Sequence, residues 1–148
     1  MSSSDMQYLK NIVLSQEYLA HAARREFERV QSMPQPSSSD LLRARAFIHA
    51  HAGMNEQAVA ELSALVSESD GTNPELLNKL AQVRLRRQSK DDIAAAVAAA
   101  ARVLDLPNLT AGDKWLAHQN LALASWSAGD LDEAATQAMR ALEQIDDP

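Results

Sequence analysis

The side chains with the most chemical potential in this chain are spaced badly for chemistry. His49 and His51 lie two residues apart, which on a helix turns them about 200° from each other, so they cannot share a metal ion. His118 has no histidine or carboxylate three or four residues away. The histidines therefore read as surface or groove-lining groups, and no metal is expected. The carboxylate pairs Asp91-Asp92 and Asp132-Glu133 fall where helices should begin, and Asp146-Asp147 falls at the end of the chain. Helix capping and the positive end of the helix dipole account for the first two pairs without catalysis. The sequence has no cysteine, so thiolate and disulfide chemistry are absent. Glycine-rich phosphate loops, nucleophile elbows and zinc spacings are also missing. Ser37-Ser38-Ser39 reads as linker. The expectation is a protein that is not an enzyme and needs no cofactor.

Charge narrows the choice of partner. The formal net charge of −6 disfavours nucleic acid, whose phosphates the chain would repel. Arg84, Arg86, Arg87 and Lys90 form the one basic cluster, but Arg86 sits on a different side of a helix from Arg84 and Arg87. That cluster is either a solvated helix end or a docking patch. The longest apolar run, 93–101, is mostly alanine and far below the roughly 20 residues that cross a bilayer. With no signal-like amino terminus and no cysteine, a cytoplasmic location without membrane contact is expected.

The elements that must position any site are helices. Hydrophobic residues make up 46% of the chain and aromatics only 4%, so alanine carries much of the apolar content. Proline and glycine are confined to punctuation, and no stretch alternates with β-branched enrichment. The fold class expected is all-α, about seven antiparallel hairpin helices in a single domain over 1–148. A long first helix is predicted over 5–31, carrying Tyr8, Leu9, Ile12, Val13, Gln16, Tyr18, Leu19, Ala23, Phe27 and Val30. It serves either to shield the first hairpin or to associate with a partner. The prolines at 34 and 36 break it, and Ser39 or Asp40 can cap the next helix. Further helices are expected near 40–52, 55–68, 74–88, 90–105, 111–128 and 130–145, with Ser89 and Thr110 as caps. The last helix turns Leu131, Ala134, Ala135, Ala138, Ala141, Leu142 and Ile145 to one side, which leaves an apolar flank unless another helix or chain covers it.

These helices repeat. Asn120-Leu-Ala-Leu-Ala-Ser-Trp-Ser-Ala-Gly129-Asp-Leu-Asp-Glu-Ala134 joins two amphipathic segments through a Gly-Asp corner, with small residues at Ala122, Ala124, Ala134 and Ala141. Shifting by about 76 residues lays Gly53 on Gly129, Ala46 on Ala122, Ala58 on Ala134 and Leu65 on Ala141. Between the two copies, Leu80-Ala81 can play the part of Leu121-Ala122, although no glycine marks that turn. This grammar resembles the tetratricopeptide repeat, a helical hairpin that stacks into an α-solenoid. Three such hairpins would span 40–148.

The resemblance implies a non-enzymatic adaptor or chaperone that holds a peptide or helix of a partner in a concave groove. Projected onto the first helix of each hairpin, it implies a groove of Arg43, Phe47, His51, Asn78, Gln82, Arg86, Gln119, Leu123 and Trp126. Amides would bond the peptide backbone, arginines would pair carboxylates, and Trp126 would anchor. A partner with some acidic character fits that set. Core packing between repeats is the other reading of Trp126, and Trp115 reads as a packing residue at an entry turn. Arg43, Asn78 and Asn120 do not complete the lysine-asparagine clamp by which some members of the family grip a terminal carboxylate. The alternative function is a structural subunit that packs into a homo- or hetero-oligomer through its first or last helix.

Overall fold

The computed structural model describes residues 3–15 and 21–146. All regular structure among them is helical: α1 (Ser3–Ser15), α2 (His21–Gln31), α3 (Ser38–His51), α4 (Asn55–Glu68), α5 (Pro74–Arg87), α6 (Lys90–Leu104), α7 (Ala111–Ser127) and α8 (Leu131–Asp146). The all-α expectation holds, and α3 to α8 each begin and end within two residues of the predicted spans. Within the span 5–31 the described residues form α1 and α2, which make contact with each other. Gln16, Tyr18 and Leu19 lie outside the described residues.

Local signals set the helix starts. Ser37 caps α3 and Thr110 caps α7, each with an aspartate three residues on that reaches back to the cap N–H. The cap of α3 is thus Ser37, while Asp40 supplies the returning half of the box. Asn73 caps α5 ahead of Pro74, and the Ser89 hydroxyl accepts the Asp92 N–H at 3.0 Å to open α6.

The hairpin corners repeat to the atom. Gly53 and Gly129 adopt φ of 79° and 83°, and beyond them Met54 N–H reaches His49 O at 2.9 Å and Asp130 N–H reaches Ser125 O at 2.8 Å. The middle hairpin has no glycine at its corner, and there Gln88 itself takes the left-handed conformation, φ 59°. A Cβ on Gly129 would meet nothing within 4 Å, so the penalty for one is conformational only. Gly129→Ala is therefore expected to cost about 1 kcal/mol, and Gln88→Gly to gain a smaller amount, both read from denaturant unfolding midpoints.

The chain divides into two compact units, Met1–Leu65 and Val66–Pro148. In the first, Ala23, Phe27 and Val30 of α2, spaced along one helical face, close on Ala44 and Ile48 of α3, and Leu9 of α1 completes the cluster. The buried Glu26 carboxylate takes two guanidiniums, Arg29 at 3.0 Å and Arg43 at 3.1 Å, and Arg29 continues to Asp40 at 3.1 Å. His49 is fully buried, contrary to the surface reading of the histidines. Its Nδ1 donates to Glu61 Oε1 at 2.5 Å and, in the neutral ring, its Nε2 accepts the Tyr8 hydroxyl at 2.8 Å. This ties α1 and α4 to α3.

In the second unit α7 packs against both α5 and α6 as well as against α8. Its Ala117 and Ala124 enter a cluster with Leu77, Ala81 and Leu85 of α5 and Ala96, Ala99 and Val103 of α6. Small residues on the seated face let the helix backbones approach. A buried amide pair fixes the register: Asn120 Nδ2 donates to Asn78 O at 3.2 Å, and Asn78 Nδ2 donates to Asp113 O at 3.2 Å. At the α5–α6 corner, Asp92 gathers the Ser89 hydroxyl at 2.6 Å, Arg84 at 3.1 Å and Arg87 at 3.4 Å.

Those partners, the Ser89 hydroxyl first and then the two arginines, hold the Asp92 carboxyl below its ordinary range. The stabilisation this gives is complete above the unfolded value of about 4 and is lost as pH falls through the lower folded value. Asp92→Asn should flatten that part of the acid-unfolding curve, measured by circular dichroism against pH.

Candidate functional site

The last hairpin carries an open apolar groove of about 510 Å³. From α7 it is lined by Trp115, Gln119, Ala122, Leu123 and Trp126, and from α8 by Leu131, Ala134, Ala135, Ala138, Ala141 and Leu142. Gln119 is the one polar side chain on its wall. The hairpin exists because α8 has a small-residue face: Ala134 and Ala141 are buried, and buried Gln137 accepts from His118 Nδ1 through its Oε1 at 2.8 Å and donates through its Nε2 to Glu133 at 2.7 Å. Beside that seam, the spacing of α8 leaves Leu131, Ala135, Ala138 and Leu142 facing outward.

The exposure is large for apolar groups. Trp126 is 67% exposed, Leu123 48%, Leu131 58% and Leu142 59%. Among the described residues, the exposed large apolar side chains concentrate on this hairpin, where Leu116 and Met139 join those four; the others are Tyr8 and Leu14 on α1 and Val97 on α6. An isolated exposed leucine needs no explanation, but a contiguous patch that includes a tryptophan marks a contact surface.

The residues that the sequence projects into a groove divide between the units. Arg43, Phe47 and His51 belong to the first; Asn78, Gln82, Arg86, Gln119, Leu123 and Trp126 belong to the second. Gln119, Leu123 and Trp126 come together on the α7 wall of the apolar groove. Phe47 does not present a surface: it is 2% exposed, with the Arg43 guanidinium 4.8 Å above its ring, and Arg43 is engaged with Glu26. Asn78 is likewise buried, because its amide is spent on α7. His51 is half-buried, and Arg86 is exposed on α5. Gln82 accepts from Lys79 Nζ at 3.1 Å. Burial, and next the Arg86 charge, push the Lys79 ammonium below its ordinary range.

The α8 wall is the part that projection from first helices leaves out. Its signal was present in the apolar flank of the terminal helix, although Ala134 and Ala141 face α7 and only the neighbouring stripe is open. The side chain of Ile145 lies outside the described residues. Among the described residues, no three His, Asp or Glu side chains gather to hold a metal ion, and no helix is long and apolar enough to cross a membrane. Comparison with family models, with curated proteins and with solved structures finds no match to this chain.

Proposed function

We propose that the protein is a non-enzymatic protein–protein interaction module, an adaptor or chaperone of the tetratricopeptide type working in the cytoplasm. One observation carries the reading: Trp126 stands 67% exposed at the corner end of an uncharged groove with leucines on both walls. Burying that surface is the strongest driving force this hairpin can offer a partner, since aromatic anchors in apolar pockets dominate interface energetics. The repeat reading is supported by the identical corners at Gly53 and Gly129, and by α7 lying against both helices of the preceding hairpin.

The test is site-directed crosslinking. A photoreactive residue at position 123 should capture a cellular protein, and Trp126→Ala in the same chain should abolish capture while leaving the helical circular dichroism unchanged. Equal capture from a photoreactive residue at the exposed position 25 of α2, or none from 123, sinks the assignment. A permanent assembly subunit would use the same surface; co-purification of a stoichiometric partner through sedimentation separates that case from a reversible adaptor.

A further inference from the structure

The groove is the vacant counterpart of a seat that is filled one hairpin earlier. Matching Leu80-Ala81 to Leu121-Ala122 lays Ala81 on Ala122 and Leu85 on Trp126. Ala81 and Leu85 are buried in the cluster that Ala117 and Ala124 of α7 enter, with α7 packed on both α5 and α6. Ala122 and Trp126 line the open groove. The occupant that this shape accepts is therefore a helix whose docking face, like that of α7, is small and apolar at helical spacing.

The rim selects the charge of that helix. Asp132 and Glu143 are exposed and each follows a groove leucine, Leu131 and Leu142, by one position, so each stands about 100° round α8 from the groove wall. Arg140, the one basic residue of α8, projects on the opposite side of the helix from Ala138 and Leu142. Residues 111–146 hold six carboxylates and two basic side chains. A second copy of this hairpin would bring acidic rim against acidic rim. Resting on the function proposed above, we infer that the groove of α7 and α8 receives an amphipathic helix of another protein, with a small apolar stripe and basic flanks, seated as α7 is seated on α5 and α6.

The experiment uses the full chain and two synthetic helices that share an alanine-leucine stripe, one flanked by lysine and one by glutamate, each carrying a fluorophore for anisotropy titration. At low salt the lysine-flanked helix should bind roughly tenfold more tightly, the sum of a few exposed charge pairs. Trp126→Ala should abolish its binding, and Asp132→Lys with Glu143→Lys should remove or invert the preference. Equal binding of both helices, still lost in Trp126→Ala, overturns the charge selection and leaves the module reading standing. Binding of neither helix by the wild-type chain overturns the seated-helix inference, while the crosslinking result from position 123 judges the module reading by itself. A dimer in sedimentation that Leu142→Lys dissociates overturns the inference in favour of a second copy.

Discussion

Replacing Phe47 by alanine is expected to cost about 3–5 kcal/mol, the largest stability loss of any single substitution considered for this chain. The ring is 2% exposed and heads the large side chains that the fold buries. Its removal forfeits the transfer energy of an aromatic side chain and leaves a cavity that rigid helices fill only in part. Denaturant unfolding followed by circular dichroism measures the effect. A loss under about 1 kcal/mol would mean that the ring is not enclosed. The same reasoning separates Phe47 from Trp126, since the exposed indole contributes little to folding and Trp126→Ala should leave the unfolding midpoint nearly unchanged.

His49→Ala should follow, at about 2–4 kcal/mol. The imidazole is fully buried, and its loss leaves Glu61 without its nearest donor as well as opening a cavity. Arg45 replaces that donor poorly. Its Nε lies 3.2 Å from Glu61 Oε2 but has no hydrogen-bonding partner in line. Tyr8→Phe removes only one hydrogen bond from a 40% exposed ring, so it should cost about 0.5–1.5 kcal/mol. Equal losses in the two variants would show that the network is not organised around the histidine.

What was legible in the sequence was local. The cap at Thr110, the Ser89 start of α6 and the glycine corners at 53 and 129 depend on residues within one turn of each other, and periodicity placed the helices between them. Gln88 shows the limit of that logic, because a residue without a glycine's freedom takes the corner when both flanking helices demand it. Pairings across the fold left no such trace. Glu61 lies twelve residues from His49 and Tyr8 forty-one, so neither appears at a helical spacing. Asn78 and Asn120 are forty-two residues apart, and the repeat pattern assigns Asn78 to the peptide groove, whereas the two amides join α5 to α7. Projection from the repeat pattern assigns a face to each helix, but a buried phenylalanine and a groove-lining one have the same letter. Leu123 and Trp126 were legible because the repeat pattern puts them on the groove side of α7, where the structure has them exposed. The apolar flank of α8 pointed the same way.

The account stands on an open surface around Trp126, and acrylamide quenching reads that surface directly. In the Trp115→Phe chain, Trp126 is the one remaining tryptophan. Its emission should match that of indole in water and be quenched nearly as freely as a model peptide, with the unfolding midpoint retained. Blue-shifted emission shielded from quencher in the folded, isolated chain would mean that the groove is already closed, and the account would be contradicted.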